Sequence, residues 1–446
     1  MESPVKPIPA RKVLIVSPHF SPINAPDMQR VRMALPFLRR FGWEPVVLAV
    51  APESIEGGVV DPLLEKTYPE DIRVIRVKGI SPRITRLAGF GNLWLRSGRA
   101  LRAAGDRLLR AERFDLAFFS TTQFDAFRLG PRWKAMFGLP YVLDYQDPWI
   151  NSYYSLTRTR PPGGWLKFGI SQWRARRDEP RVLQGASGVI AVSGAYATTL
   201  EESYPWFDAR TFKMLPFGAA EQDFEIARSY RPKDPLVPFD DGRFHIVYVG
   251  RCGPDMSTSL SIVFRAFKKY LAAEPAKAER IHFSFIGTDY APRPFGREWA
   301  TPVAKREGIE RFVSEHCYRV PYFDALYYLI NANAILAVGS NDPSYSASKI
   351  YPYVLARRPM LIVFNARSPV IAIAKKMGCG MRFEFGGPSD IDLLADEVAS
   401  AWFIGGGMTR FLDPGDSAFL PYTAESMSGQ LAECFDAAVG RHNARP

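Results

Sequence analysis

Apolar positions along the chain come in two patterns. Short runs such as Lys12–Ser17, Pro45–Val50, Ile72–Val77, Asp115–Phe119, Pro140–Asp144 and Gly188–Val192 read as buried strands. Between them, side chains such as Val31, Leu35 and Leu38 return at helical intervals, which predicts helices over Met28–Phe41, Leu93–Arg113, Gln123–Met136, Trp165–Leu183 and Ala195–Ser203. Asp27 is placed to cap the first helix, and Pro36 to kink it. Strand, loop, helix, strand is the opening of a doubly wound sheet.

The pattern breaks between Phe224 and Gly242, where Pro232, Pro235 and Pro238 stand among charges and read as a linker. It then starts again. Phe244–Val249, Ile281–Ile286, Ala334–Val338 and Met360–Phe364 are predicted strands. Ser257–Leu271, Phe323–Ala332, Pro369–Met377 and Ile391–Ile404 are predicted helices. The expected organisation is a first domain over residues 1–225, a linker over 226–242 and a second domain over 243–420. A last helix, about 421–446, is expected to pack back on the first domain. Residues 1–11, with three prolines, read as a loose tail. The fold class is α/β with two Rossmann-like domains, and no internal repeat or low-complexity segment is visible.

Composition narrows the class. The 446 residues are 47% apolar and 23% charged, as in ordinary globular proteins. The four cysteines, Cys252, Cys317, Cys379 and Cys434, lack the spacing of a zinc site or disulfide framework, so a reducing cytosol is the expected compartment. No apolar run approaches the roughly 20 residues that cross a bilayer. The net charge of +11 is uneven: residues 1–225 hold 31 basic and 23 acidic side chains, or +8, and the rest 26 and 23, or +3. The excess lies in Arg83–Arg113 and Arg158–Arg181. Trp94, Leu101 and Leu108 interleave with the first cluster, and Trp165, Leu166, Phe168, Ile170 and Trp173 with the second. Such stretches suit helices lying on an anionic membrane surface, and equally ordinary domain helices with solvated basic faces. The arginines match no nucleic-acid-binding module, so no nucleic acid is expected as a partner.

Candidate chemistry sits after predicted strands. Ser346, Ser348 and Lys349 follow Ala334–Val338 at the start of a helix, where free amides and an ammonium suit a phosphate; a plain serine-rich cap fits as well. Gly250 and Arg251 follow Phe244–Val249, and arginine suits bidentate phosphate binding. Asp144 and Asp147 end another strand, facing a ligand or holding a turn.

Three segments carry a resemblance. Ser348-Lys349-Ile350-Tyr351-Pro352-Tyr353-Val354-Leu355-Ala356-Arg357-Arg358-Pro359 resembles the S-K-x-x-E-Y-x-A-x-G-x-P donor loop of family 4-type retaining glycosyltransferases. Asp144-Tyr145-Gln146-Asp147-Pro148-Trp149 resembles their D-F-R-D-P-W. Ser17-Pro18-His19-Phe20-Ser21-Pro22 with Gln29-Arg30 resembles their N-terminal S-P-Y-F-P-P and Q-R, and Met214–Gly218 the segment leaving their first domain. The resemblance implies the GT-B fold, two Rossmann-like domains facing across a cleft. It also implies a metal-independent hexosyltransferase using a nucleotide-diphosphate sugar. The donor would meet Gly250, Arg251, Ser346, Ser348, Lys349 and Tyr351. Asp144, Asp147 and His19 would be catalytic, with Gln29, Arg30, Ser120, Thr121 and Thr122 on the acceptor side. No cofactor and no metal are expected, since no Asp-x-Asp stands in a plausible donor position. The acceptor would be a lipid-linked or cell-envelope glycan precursor, made at the inner face of the cell membrane.

Gln146 stands where the family usually has an arginine, and three further departures bear on the ligand. Pro352 replaces the family glutamate that binds the donor ribose, Asp255–Thr258 occupy the window of a family lysine, and Asn24-Ala25-Pro26 replace a glycine pair. These losses support an alternative, a non-catalytic GT-B protein binding a sugar nucleotide, glycan or partner enzyme. A sugar-nucleotide epimerase or sugar phosphorylase is a weaker competitor.

Overall fold

The computed structural model describes residues 11–81, 92–150, 161, 164–289, 291, 294–343, 345 and 348–444. It forms two compact units, Met1–Gly218 with Ala424–Pro446, and Ala219–Thr423.

The first unit is built on seven parallel strands: β1 (Arg11–Val16), β2 (Trp43–Val50), β3 (Arg73–Val77), β4 (Leu116–Ser120), β5 (Tyr141–Tyr145), β6 (Gly188–Ala191) and β7 (Phe212–Met214). Their order is β3-β2-β1-β4-β5-β6-β7. Val13–Val16, Val46–Val50 and Leu116–Ser120 are buried along their whole length, as a sheet covered on both faces requires. The covering helices are α1 (Gln29–Leu38), α2 (Leu93–Ala111), α3 (Leu129–Phe137), α4 (Gly164–Gly185) and α5 (Ala195–Ser203). Arg11, read as tail, is the first residue of β1. Leu93, Leu101 and Leu108 of α2 are core residues, so this stripe of the basic helix packs inside the unit, while Leu95 stays exposed; the part of the basic segment over residues 83–91 lies outside the described residues.

The second unit carries six parallel strands: β8 (Phe244–Val249), β9 (Ile281–Ile286), β10 (Val313–His316), β11 (Ala334–Val338), β12 (Met360–Asn365) and β13 (Met381–Phe385), in the order β10-β9-β8-β11-β12-β13. Its α-helices of six or more residues are α6 (Glu221–Arg228), α7 (Ser257–Ala273), α8 (Ala300–Glu307), α9 (Tyr322–Asn331), α10 (Ile350–Leu355), α11 (Pro369–Met377) and α12 (Ile391–Val398). The last helix, α13 (Ala424–Asn443), belongs to the first unit. Buried Phe435 holds it there, its ring 5.3 Å from Trp43 and 5.0 Å from Phe118, while Trp43 Nε1 donates to Asp436 at 2.9 Å.

The boundary differs from the sequence reading. The chain enters the second unit at Ala219, and the proline-rich stretch is part of that unit. Leu236 N donates to the Tyr328 hydroxyl at 3.0 Å, and the Phe239 ring lies 5.4 Å from His245 and 6.0 Å from Tyr327. One half-buried aromatic and one backbone hydrogen bond fix what the prolines alone made look free.

Candidate active site

Each sheet reverses its direction of growth once, between β1 and β4 in the first unit and between β8 and β11 in the second. In open α/β sheets ligands bind outside the carboxyl ends of the strands flanking this point. The residues singled out from the sequence fall there: His19 beyond β1, Ser120–Thr122 at the end of β4, Gly250-Arg251 beyond β8, and the loop to Lys349 beyond β11.

In the second unit, Lys349 Nζ donates to the Tyr248 hydroxyl at 2.5 Å and to Arg251 O at 3.2 Å, and lies 4.4 Å from the centre of the Tyr248 ring. The Tyr248 hydroxyl in turn donates to Arg251 O. Gly250 makes this approach possible: its φ is +138°, and a Cβ there would stand 2.8 Å from Lys349 Nζ. The residue is half-buried, but its amine is enclosed by the ring and the loop, and this desolvation pushes its pKa down to about 7. Tyr353 fixes the loop from below, donating to Val249 O at 2.7 Å. The amides of Gly250 and Cys252 are taken by Ile286 O at 2.9 Å and Thr288 O at 2.8 Å.

Arg251 is engaged. Its guanidinium forks onto Asp255 at 2.9 and 2.8 Å. Burial would raise the Asp255 carboxyl, but Arg251 and Ser340 outweigh it and hold the pKa below the ordinary range. The residue standing in the window of the family lysine is therefore the counter-ion of the loop arginine.

The helix terminus expected after β11 is short. α10 has six residues, Lys349 stands at its N-cap position, and no side-chain cap bond forms. Ser348 is exposed, and Ser346 lies outside the described residues. Pro352 sits in the first turn, where a backbone N–H would have no intrahelical partner, so the proline is tolerated. Tyr351 is buried and its ring stacks on Tyr422 at 5.5 Å, which makes it a packing residue and not a donor ligand.

In the first unit the candidates divide into a buried layer and an accessible one. Arg30 and Asp144 are both 0% exposed and meet through Nε and Oδ2 at 2.8 Å. Arg30 also donates to Leu215 O at 2.6 Å and Pro216 O at 3.2 Å. Asp144 Oδ2 accepts further from Ser120 Oγ at 2.7 Å and Gln146 Nε2 at 2.9 Å. Its Oδ1 is buried without a partner among the described residues. Neither Asp144 nor Arg30 nor Ser120 can touch an acceptor, contrary to the expectation. They brace α1, β4, β5 and the segment after β7. Gln29 is half-buried and accepts from Arg32 Nε at 2.9 Å, a local bond within α1.

The accessible layer rests on a residue misread as a cap. Asp27 makes no cap bond to the turn it occupies. Its carboxylate is buried and accepts from Thr121 Oγ1 at 2.9 Å, Thr122 N at 3.1 Å, Thr122 Oγ1 at 3.2 Å and His19 Nδ1 at 3.0 Å. Burial opposes its charge, but His19 and the threonine donors outweigh it and keep its pKa low. Thr121 is thus buried support, and His19, half-buried, is oriented by an anion at one ring nitrogen. Asp147 is exposed, yet its dense surroundings, with the charge of Asp27, push its carboxyl up. Where the family pattern has its glycine pair, Asn24 belongs to a short strand, Ile23–Asn24, paired antiparallel with Val59–Val60.

Among the described residues no three His, Cys, Asp or Glu side chains gather as a metal site, and no helix is long and apolar enough to cross a membrane.

The two Rossmann-like units define the GT-B fold, and known structures agree. Anabaena HepE in complex with UDP and glucose superposes with a TM-score of 0.59 at 16% identity, over 96% of this chain and 100% of that one. WaaG, a glycosyltransferase involved in lipopolysaccharide biosynthesis, gives 0.56 at 15% identity, over 94% and 98%. A UDP-forming trehalose-phosphate synthase from Burkholderia xenovorans gives 0.58 at 12%, over 96% and 99%. Residues 29–218 match the family model of the glycosyl transferase 4-like domain. No curated protein matches the chain in sequence.

Proposed function

We propose that the protein is a retaining, metal-independent glycosyltransferase that moves a hexose from a nucleotide-diphosphate sugar to a hydroxyl of a lipid-linked or cell-envelope glycan precursor. The observation that carries this reading is the meeting of Lys349 with the Gly250-Arg251 loop at the switch point of the second sheet. When the bond between the sugar C1 and the diphosphate oxygen breaks, charge grows on that oxygen, and an ammonium already stripped of water stabilises it strongly. The match to a glycosyl transferase 4-like domain and the UDP-glucose bound by HepE support the donor class. The role of WaaG in lipopolysaccharide biosynthesis supports the acceptor class.

On the acceptor side, His19 is the group placed for chemistry. Asp27 holds Nδ1, which leaves Nε2 to hold an acceptor hydroxyl or receive its proton. Asp147, an exposed carboxyl that feels the charge of Asp27, is the candidate for a second polar contact. The test is release of nucleoside diphosphate from a panel of nucleotide sugars in the presence of lipid-extracted acceptors. Release that His19→Ala and Lys349→Ala each abolish supports the reading; no release from any donor contradicts it.

Two observations favour a second reading, binding without transfer. The Arg251–Asp255 fork neutralises the loop arginine, and Pro352 supplies no ribose acceptor. On that reading a nucleotide sugar binds and is recovered unchanged.

A further inference from the structure

The two basic segments of the sequence part company in the fold. α2 buries Leu93, Leu101 and Leu108, whereas the first turns of α4 leave Trp165, Leu166, Ile170 and Trp173 exposed at 48%, 79%, 52% and 62%. At about 100° of rotation per residue these four fall within an arc of about 140°, and its centre lies about 170° from that of Ala175 and Asp178, the first buried residues of the helix. The apolar face therefore looks away from the unit to which α4 belongs. Scattered exposed apolar side chains are ordinary; two tryptophans, a leucine and an isoleucine on one face of one helix are not.

Charge identifies what this face meets. Between Trp165 and Arg177 the helix carries Lys167, Arg174, Arg176 and Arg177 and no Asp or Glu. The guanidinium of Arg177 lies 6.0 Å from the centre of the Trp173 ring. A protein partner would explain the apolar side chains but less readily the run of Lys167, Arg174, Arg176 and Arg177 among them; the nearest acid in sequence, Asp178, lies just past this stretch, 3.7 Å from Arg177. Indole rings bordered by arginines are the composition of a helix lying in the headgroup region of a bilayer, rings toward the acyl chains and guanidinium groups among the phosphates. We propose that α4, from Trp165 to Arg177, docks the protein on an anionic lipid surface. The lipid-linked acceptor of the transferase reading gives this docking its purpose, but the docking itself stands on α4 alone.

The test is flotation of the full chain with vesicles of phosphatidylcholine, with or without phosphatidylglycerol, at low and high salt. The protein is expected to float with the anionic vesicles at low salt and to be released by salt. Trp165→Ser with Trp173→Ser is expected to lower partition roughly tenfold or more, and Arg176→Gln with Arg177→Gln to lower it without altering the melting temperature, since all four side chains are exposed. Wild-type protein that stays in the soluble fraction, or a tryptophan variant that floats equally well, overturns the proposal. So does a dimer in sedimentation velocity that the tryptophan variant dissolves, which assigns the face to a second copy. Nucleotide thermal shifts on the same samples read the donor site separately, so loss of docking and loss of the transferase reading are told apart.

Discussion

The ammonium of Lys349 stands 4.4 Å over the centre of the Tyr248 ring while donating to the hydroxyl of that same tyrosine at 2.5 Å. An amine so enclosed sits near its titration midpoint at neutral pH, its pKa having fallen to about 7.

The sign of the pH effect follows. Lys349 carries its charge below pH 7 and loses it above, while the diphosphate diester of a nucleotide sugar keeps its charge throughout. Affinity for the donor is expected to be level below pH 7 and to fall by up to about tenfold per pH unit above it. Lys349→Met should give a weaker and flat profile by isothermal titration. A flat wild-type profile removes the ammonium from the donor site.

Arg30 and Asp144 bear on stability, not turnover. Both are fully buried, so removing one leaves the other as an unpaired charge. Asp144→Ala and Arg30→Met are each expected to cost about 3–5 kcal/mol in urea unfolding, with an apolar double replacement recovering part of the loss. Single variants with wild-type stability and lost turnover would return Asp144 to catalysis.

His19 is expected to behave in the opposite way. His19→Ala should lower kcat about 100-fold or more, with donor affinity retained and little change in melting temperature. Asp27→Asn removes the anion that orients the ring and should lower kcat as well. Wild-type kcat in both would make the His19–Asp27 contact a local brace.

Arg357 is the non-glycine with positive φ among the described residues, at +54°, and its side chain is exposed. The donor-loop motif has its glycine at this position. Arg357→Gly is expected to gain about 0.5–1 kcal/mol, the left-handed strain removed exceeding the chain entropy that glycine adds to the unfolded state. A raised urea midpoint at unchanged slope checks it.

The strands inside the sheets were legible because burial on both faces leaves a continuous apolar run, as in Ala334–Val338 and Met360–Phe364. The edges were not. Val313–His316 and Met381–Phe385 mix polar with apolar side chains because an edge strand is half exposed. Within the candidate site, the sequence could mark Gly250, Arg251 and Lys349 as phosphate-binding types, but not that Asp255 would occupy the guanidinium. It gave Asp27 the local role that an aspartate before a helix usually has, whereas the donors that claim Asp27 come from Thr121 and Thr122, more than ninety positions away. Asp144 was misread for the same reason, since its partner Arg30 lies 114 positions earlier. Contacts between distant residues decide which polar groups reach a ligand and which are consumed in holding the site.

The central claim is that the Gly250–Lys349 cluster binds a nucleotide diphosphate. Its most direct test is the thermal shift of wild-type protein and Lys349→Ala against UDP, GDP, ADP, TDP and CMP with their sugars. One diphosphate is expected to raise the wild-type melting temperature, and the variant, folded, to lose that shift. A folded wild-type protein that none of them stabilises, or a variant that responds equally, would contradict the claim.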